Sequence, residues 1–394
     1  MKRSPLTIIY LTVFIDLLGF GIILPVLPFY ATKLGATGVW VGALLTAYSA
    51  AQFIAAPILG QISDRIGRRP VLLLSLLGSA ISLTVSGLAQ TLALLLIGRA
   101  LAGLFGGSIA TAQAYIADVT QPHERTKYMG LLGASIGMGF VLGPAIGAGL
   151  SPFGFGTAAF AAAGLAAVNL IFAFFALPES RQPGSAAAHQ GFSFASLGAA
   201  LGHPAIGRIL GATFLTTFAF VGMETTFALL GKDRFNLGAG GLGIIFTYVG
   251  IVIALVQGGL IGRLNARFGE RKLAVAGTAL MGLTLLLLPL APGLILALVI
   301  LGFLSLGQGL ASPTLSSLLA HESGEGQRGQ VLGLGQSLSA GARAVGPLVA
   351  GWLFDRGMAI PYILGGALVF VAALLLAQLV ASAATPAMGA GGAH

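Results

Sequence analysis

Long apolar stretches, separated by short polar segments, run from one end of the chain to the other. Residues 71–88 and 273–290 are two examples, and no charged residue interrupts either of them. A helix needs about 20 apolar residues to cross the hydrocarbon core of a bilayer. The strands of an outer-membrane barrel would instead alternate apolar and polar positions over about 10 residues. The pattern therefore predicts membrane-spanning helices.

Twelve such helices are predicted, and the longest break between them separates six from six. The helices cover residues 6–29, 39–62, 70–90, 92–117, 127–150, 155–177, 205–230, 239–262, 271–291, 293–319, 327–353 and 359–381. The break is rich in Pro, Gly, Ser and Ala. We therefore predict an N-terminal half at 1–177, a cytoplasmic linker at 178–204, a C-terminal half at 205–383 and a flexible tail at 384–394.

The composition excludes several classes of protein. Of the 394 residues, 56% are apolar and 8% are charged, whereas an average soluble domain has about 25% charged residues. Together with a mean hydropathy of +0.96, these values exclude a soluble enzyme and a disordered chain. They also exclude a nucleic-acid-binding protein, despite the net charge of +9. An all-α integral membrane protein remains.

No cofactor or metal site is predicted from the sequence. The chain has no Cys, which excludes disulfides and Cys-ligated metals. Its His residues form no ligand cluster and fall in predicted loops or in the tail: His123, His189, His203, His321 and His394. The phosphate-binding GxxxxGK[ST] loop that an ATP-driven pump needs is also missing. Uphill transport would therefore depend on an ion gradient.

The basic residues lie mainly on one side of the predicted helices. Fourteen fall on the side that carries both termini: Lys2, Arg3, Arg65, Arg68, Arg69, Arg125, Lys127, Arg181, Arg208, Arg263, Arg267, Arg271, Lys272 and Arg328. Four fall on the other side: Lys33, Lys232, Arg234 and Arg356. This imbalance predicts cytoplasmic termini. The excess of basic residues on that side also accounts for the net charge of +9, and these residues would attract anionic lipid.

The two halves repeat each other at an almost constant offset. Gly60, Arg65, Gly67 and Arg69 match Gly262, Arg267, Gly269 and Arg271 at an offset of 202. Arg125 and Gly130 match Arg328 and Gly333 at 203, and Gly143-Pro144 matches Gly346-Pro347 at 203. Repeated six-helix halves place a substrate site near the bilayer midplane, between the halves. We therefore predict two pseudo-symmetric six-helix bundles.

Four charged residues fall deep inside predicted helices: Asp16, Arg99, Glu224 and Arg343. Each costs about 2.5–3.5 kcal/mol on membrane-insertion scales, so an intramembrane charge is a functional hypothesis by default. Apolar surroundings favour the neutral form of Glu224 and a nearby Arg favours its ionised form, and a carrier coupled to protons needs such a balance. Asp16 is a second proton site candidate. Alternatively, the two acids and two bases simply neutralise each other.

Aromatic and amide side chains are candidates for a substrate cavity. Phe214, Phe218, Phe220 and Phe227 flank Glu224 in sequence, and an aromatic pocket with one acid suits lipophilic cations. These rings could equally face lipid or neighbouring helices. The full set of cavity candidates is Tyr48, Gln52, Gln113, Phe218, Phe227, Gln257, Gln336 and Arg343.

The strongest local motif is GQISDRIGRR at 60–69. Gly60 and Gly67 permit a tight turn, Asp64 can lie against a helix N-terminus, and Arg65, Arg68 and Arg69 can pair with acids on neighbouring helices. Breaking such a cluster as the halves move would form one half of a gate. A simple positively charged loop is the alternative. The second copy has Ala266 in place of Asp64, which predicts an asymmetric gate.

Three glycines at a spacing of four, Gly139, Gly143 and Gly147, lie in the predicted helix 127–150. This spacing forms a groove for close helix contact, and Pro144 bends a helix because it removes a backbone hydrogen bond. A bent close contact suits a pivot or a seal, although ordinary small-residue packing would look the same.

These motifs together resemble the major facilitator superfamily over nearly the whole chain. The 60–69 loop is similar to the signature between that superfamily's second and third helices. Arg99 with Gly103 is similar to its fourth-helix motif, where the Arg is linked to proton transfer. The run 139–147 resembles the fifth-helix antiporter motif, which is associated with export. The segments 16–28 and 114–125 resemble twelve-helix drug:proton antiporters, especially the tetracycline-efflux-like branch.

The resemblance implies proton-driven efflux and assigns roles to the motif residues. Asp64 and Arg68 or Arg69 would help to close the cytoplasmic side, with Asp118 as a partner and Arg125 in the same region. This sequence departs from the family pattern in the third helix, and the difference bears on the substrate. Tetracycline pumps carry an acid within the third helix, whereas residues 78–84 here read GSAISLT, with Ser82 near that position. The sequence therefore does not predict tetracycline itself.

We expect a secondary antiporter in the cell (inner) membrane that exports drugs or other lipophilic small molecules by alternating access. Protons and membrane lipid are its expected partners, nucleic acid is not, and a monomer is expected. An uptake or exchange carrier for a sugar or other metabolite is the alternative. The antiporter-like run and the scarcity of embedded polar groups argue against that alternative.

Overall fold

The computed structural model describes residues 5–121, 124–180, 203–323 and 328–384. Within these ranges the chain is helical and short turns connect the helices. The α-helices are α1 (Pro5–Ile23), α2 (Leu27–Lys33), α3 (Gly38–Ile66), α4 (Arg68–Gly87), α5 (Leu92–Leu104), α6 (Ser108–Val119), α7 (Arg125–Leu150), α8 (Phe155–Ala176), α9 (Pro204–Phe235), α10 (Ala239–Leu255), α11 (Ile261–Phe268), α12 (Glu270–Leu287), α13 (Leu294–Glu322), α14 (Arg328–Phe354) and α15 (Ile360–Ala384).

Each predicted helix has a counterpart, and most ends agree within a few residues. Most of the predicted linker, 181–202, lies outside the described residues, as does 385–394 of the tail. His123, His189, His394 and the side chain of Arg328 also lie outside them. The predicted two-half division therefore stays a prediction, and its linker is not described.

Two helices that the sequence predicts as continuous are interrupted. The first breaks at 24–26, around Pro25, before α2 begins. The predicted helix 92–117 breaks at 105–107, where Gly106 and Gly107 have little helix propensity. Gln52 Nε2 donates to the carbonyl oxygen of Gly106 over 2.9 Å, so a neighbouring helix satisfies an acceptor at this break.

Eleven of the helical segments in the described ranges are long and apolar enough to cross a membrane. The chain is therefore a multi-pass membrane protein. The other long helix, α14, is 27 residues long but carries Gln336 and Arg343, and it does not meet the same criterion. The twelfth crossing stays a prediction.

The surface of α8 shows why these helices suit a bilayer. Its buried face consists mainly of alanines, while Phe175 is 82% exposed and Ile171 is 58% exposed. Small residues allow neighbouring helices to approach closely, and large apolar side chains can face lipid. In water, such an exposed apolar surface would favour aggregation.

The described residues divide into two compact units. The first takes its residues from the ranges 1–191, 224–251 and 343–356, and the second from 192–223, 252–342 and 357–394. Buried side chains such as Ile23, Leu44 and Ala162 belong to the core of the first unit. Ile209 and Leu315 belong to the core of the second. The Asp16, Arg99 and Glu224 side chains all belong to the first unit.

Candidate functional site

Asp16 lies in the middle of α1, and hydroxyl groups from two other helices bind its carboxylate. Ser79 on α4 donates to Oδ1 over 3.2 Å, and Ser108, the first residue of α6, donates to Oδ2 over 2.5 Å. Ser79 belongs to the GSAISLT stretch, which contains no acid of its own. An acid is therefore present beside this stretch, but α1 supplies it.

Arg99 on α5 is 4% exposed. Its guanidinium carbon lies 4.6 Å from the ring centroid of Tyr48 and 5.6 Å from that of Phe20, which places it in cation–π range of both rings. Its Nε atom has no hydrogen-bond partner among the described residues. Gly103, one turn later, permits this packing because a Cβ there would collide with the carbonyl oxygen of Tyr48.

Asp16 and Arg99 line one cavity within the first unit. Its polar lining consists of Asp16, Tyr48, Gln52, Ser79, Ser82, Arg99 and Ser108. Its remaining lining consists of Leu17, Gly19, Phe20, Leu83, Ala102, Gly106, Ile109 and Ala166. The cavity therefore combines apolar walls with a few polar groups, and its volume of about 50 Å³ accommodates a carboxyl-sized group but not a whole drug molecule.

Glu224 and Arg343 also belong to the first unit, and their side chains interact electrostatically. Glu224 is half-buried and Arg343 is exposed. Tyr48 interacts electrostatically with Asp16, Arg99 and Arg343. Of the four embedded charges that the sequence identifies, Asp16 and Arg99 line one cavity with Tyr48, and Glu224 interacts with Arg343.

Other cavity candidates have different surroundings. Gln113, Gln257 and Gln336 are exposed, and none of them lines the cavity around Asp16. Gln257 lies in a π-helical segment, Val256–Leu260. Phe227 is completely buried, while Phe218 stacks on Phe214 with their ring centroids 6.1 Å apart. Their roles in a substrate cavity stay predictions.

Arg68 is the centre of the 60–69 motif. It is 3% exposed, and its guanidinium binds Asp64 over 2.7 Å and Asp118 over 2.9 Å. It also donates to Ser63 Oγ over 3.1 Å. Of the two arginines considered for the partnership with Asp118, the geometry selects Arg68. The gating role of this cluster stays a prediction.

The other arginines of the motif differ from Arg68. Arg69 donates to the carbonyl oxygen of Phe174 over 2.6 Å, and Arg125 donates to that of Ala117 over 3.0 Å. Arg65 is exposed. Neither Arg69 nor Arg125 forms an ion pair with an acidic side chain of the described residues, so the expected acid partners exist only for Arg68.

Glu179 is a residue that the sequence analysis missed. Its carboxylate accepts from the backbone N–H groups of Arg68 and Arg69 over 2.8 and 3.1 Å. A helix N-terminus carries unsatisfied donors and partial positive charge. The sequence predicted Asp64 for such a position, but Glu179 occupies it and Asp64 pairs with Arg68. An acid directly after the predicted helix 155–177 was the available signal.

The glycines of the motif also differ from each other. Gly67 has φ +103°, and a Cβ there would collide with the Glu179 carboxylate. This position therefore requires glycine for both its backbone conformation and its close approach to Glu179. Gly60 has open space beside it, so its predicted role in a tight turn finds no steric basis, and α3 continues through it to Ile66.

The second copy of the motif has a carboxylate where the first copy has its central arginine. Glu270 stands where the first copy has Arg68, and His321 stands where it has Asp118. His321 Nδ1 lies 2.9 Å from Glu270 Oε2, and Ser317 donates to Glu270 Oε1 over 2.7 Å. Arg271, the counterpart of Arg69, pairs with Glu322 over 2.6 Å. The predicted asymmetry therefore exceeds the Asp64/Ala266 difference.

The three spaced glycines of α7 pack against α1. A Cβ on Gly143 would lie 2.6 Å from the Cα of Gly21, and a Cβ on Gly139 would lie 2.7 Å from the Cβ of Leu17. A Cβ on Gly147 would collide with the carbonyl of Ile22. The helix itself continues through Pro144 to Leu150. Small residues at these positions allow the two helix backbones to touch.

A further contact joins the start of α3 to the end of α14. The carboxylate of Asp355 accepts from the backbone N–H groups of Gly38 and Val39 over 2.6 and 2.8 Å. Thr46 Oγ1 accepts from the N–H of Leu348 over 3.2 Å. Asp355 therefore caps α3 across 317 positions of sequence.

Comparisons with known proteins agree with this architecture. The chain matches the profile of the Major Facilitator Superfamily over residues 9–347 and 242–391. It is 32% identical to the class C tetracycline resistance protein of Escherichia coli, over 94% of this chain and 96% of that protein. It is 28% identical to multidrug resistance protein 2 of Bacillus subtilis strain 168, over 94% of each chain.

A solved structure is similar over the same extent. The crystal structure of the human organic anion transporter MFSD10 (TETRAN) has a TM-score of 0.70 and 28% sequence identity, and covers 95% of this chain and 99% of that one. The helical architecture, the charged motif with its second copy and these similarities lead to one conclusion. The chain belongs to the Major Facilitator Superfamily of transporters.

Proposed function

We propose that the protein exports drugs or other lipophilic small molecules across the cell membrane in exchange for protons. The observation that carries this proposal is the cavity that Asp16 and Arg99 line together with Tyr48, Ser79 and Ser108. A second embedded carboxylate, Glu224, lies within electrostatic range of Arg343. The relatives named for tetracycline and multidrug resistance support a drug as the exported molecule.

The chemistry of coupling follows from the environment of the two acids. A carboxylate surrounded by apolar helices is stable when it is protonated or when it faces a compensating cation. Arg343 compensates Glu224 in its ionised form. Protonation of Glu224 removes that attraction and leaves the positive charge of Arg343 uncompensated. Proton binding at one acid and substrate binding at the other can thus influence each other.

The driving force is sufficient for useful export. One proton that moves inward down a potential of 100 mV releases about 2.3 kcal/mol. This energy supports a substrate gradient of roughly fifty-fold. In the proposed cycle, substrate enters from the cytoplasm or inner leaflet while the acid is ionised. A proton from outside then neutralises the acid and favours release of the substrate outward.

The 60–69 cluster and its second copy are proposed to act on the cytoplasmic side of this cycle. Both termini are proposed to be cytoplasmic, because the basic residues concentrate on their side. The inner membrane is the proposed location and a monomer the proposed state. The α1–α7 contact through Gly143 is proposed to seal the helices against proton leak.

The proposal is tested in inside-out vesicles that carry the protein and an imposed proton gradient. A pH-sensitive dye reports proton movement while drugs of different charge, tetracycline and simple sugars are added. Drugs are expected to dissipate the gradient, and Glu224→Gln is expected to abolish this response. Asp233→Asn, an exposed acid on the same helix as Glu224, is the matched control. Unchanged proton-coupled transport in Glu224→Gln would contradict the assignment of this residue.

A second candidate function is supported by the human organic anion transporter among the similar structures. Transport of organic anions by uptake or exchange would also use a buried arginine. The direction of accumulation separates the two functions, because an exporter accumulates its substrate inside inverted vesicles. Sugar-dependent proton movement would instead favour a metabolite carrier.

A further inference from the structure

The guanidinium of Arg99 is a buried cation without an anionic partner. It forms neither an ion pair nor a hydrogen bond with any residue that the structure describes, and its Nε is fully buried. Tyr48 and Phe20 interact with it through their ring faces. Ring faces do not accept the five N–H bonds of a guanidinium in its own plane.

Such an arrangement is unfavourable unless something else accepts those hydrogen bonds. Burial of a charge without hydrogen-bonding partners costs far more than a cation–π contact returns. Asp16 lines the same cavity, but its oxygen atoms accept from Ser79 and Ser108 and form no hydrogen bond with Arg99. The cavity therefore has a carboxylate in one wall and, in another, guanidinium donors without acceptors among the described residues.

We infer that Arg99 binds an acidic group of the transported molecule, and that the cavity therefore selects amphiphiles that carry a carboxylate. This inference rests on the proposed export function and names the class of its substrate. A carboxylate matches the fork of a guanidinium with two parallel hydrogen bonds. Tyr48 and Phe20 lie within cation–π range of the guanidinium, and those contacts leave its N–H donors without acceptors in the described part of the chain.

The same geometry disfavours a purely cationic ligand. A second positive charge in the cavity would be repelled by Arg99 and would leave the guanidinium without an acceptor. A molecule with a carboxylate supplies the acceptor that Arg99 lacks among the described residues, while its larger apolar or cationic part stays outside this small cavity. The sequence-based expectation of lipophilic cations is therefore narrowed to molecules that also carry an acid.

Two fluorescent dyes test this inference as a matched pair. Rhodamine B carries a cationic xanthene and a free carboxylate, and rhodamine B ethyl ester carries the same cation with the acid blocked. Binding of each dye to the purified full-length protein in detergent is measured by fluorescence anisotropy at pH 7, without a proton gradient. The wild type is expected to bind the acid at least about tenfold more tightly than the ester.

Arginine variants test whether Arg99 causes the preference for the acidic dye. Arg99→Gln is expected to remove the preference for the acid, and Arg99→Lys to retain part of it because the charge remains. Arg263→Gln, an exposed arginine on α11, is the matched control and is expected to leave the preference unchanged. Equal binding of both dyes by the wild type overturns the inference. An acid preference that persists in a folded Arg99→Gln variant overturns the assignment to Arg99.

The experiment separates this inference from the proposed function. Binding without a gradient does not depend on proton coupling, so a failure of coupled export in vesicles leaves the dye comparison intact. Coupled export combined with equal binding of both dyes contradicts the inference alone. If Arg99→Gln does not fold, the wild-type comparison and Arg99→Lys still decide the outcome.

Discussion

Replacement of Arg68 by Ala is expected to destabilise the first unit through the two acids that it leaves behind. Arg68 is 3% exposed and binds Asp64 over 2.7 Å and Asp118 over 2.9 Å. Loss of one member of a buried ion pair costs about 3–5 kcal/mol, because the remaining charge is uncompensated. The acid side chains are 18% and 25% exposed, so water reduces this cost. We therefore expect Arg68→Ala to lower the free energy of unfolding by about 2–4 kcal/mol.

Thermal unfolding of the purified protein in detergent measures this effect. For a chain of this length, the expected loss corresponds to a decrease in Tm of about 2–5 °C. Arg65→Ala is the matched control, since Arg65 lies in the same motif, carries the same charge and is exposed. An equal decrease in both variants would refute the reasoning, because the effect would then follow from net charge rather than from the buried ion pairs.

Three further predictions use the same assay with matched controls. Gly143→Ala is expected to lower Tm, because its Cβ would lie 2.6 Å from Gly21 Cα and overpacking costs about 1–3 kcal/mol; Gly137→Ala, with open space beside it, should not. Glu179→Gln is expected to destabilise by about 1 kcal/mol, because α4 loses the charge at its N-terminus; equality with exposed Asp233→Asn, which lies in the last turn of α9, would refute this. Asp355→Asn is expected to cost a similar amount at the N-terminus of α3, and exposed Asp233→Asn should have no effect.

The charge inversion between the two motif copies bears on how a gate of this kind would work. In the first copy a permanently charged arginine, Arg68, holds the acids. In the second copy a carboxylate, Glu270, takes the central position and binds His321 and Ser317. The same helical framework therefore carries opposite polarity in the two copies. The sequence shows the exchange of Arg68 for Glu270, and the structure adds that Glu270 contacts His321 and Ser317.

The substrate question also changes once the contacts are known. In the sequence analysis, the lack of an acid in the GSAISLT stretch argued against tetracycline as the substrate. Ser79 of that stretch binds Asp16, so the stretch contributes to an acidic site without supplying the acid. Tyr48 and Gln52, which the sequence predicted as cavity residues, do line that cavity. Gln113, Gln257 and Gln336 do not, because depth along a helix does not determine the direction of a side chain.

The sequence by itself determined the helices, their approximate ends, the repeat and the embedded charges. Hydropathy is a local property, and a bilayer requires a long apolar segment wherever the chain crosses it. Breaks at 24–26 and 105–107 escaped prediction because Gly and Pro are tolerated within membrane helices where neighbouring helices satisfy the backbone, as Gln52 does for Gly106.

Only the tertiary structure decided which groups meet. Glu179 binds the start of α4 across 111 positions of sequence, and Asp355 binds the start of α3 across 317. Tyr48 and Phe20 enclose Arg99 from two other helices. No periodicity or composition encodes such pairs, since each depends on how distant helices pack. The sequence therefore predicted that the charges lie within membrane helices. Packing determined that Arg99 is buried without an acidic partner among the described residues, whereas Arg343 is exposed and interacts with Glu224.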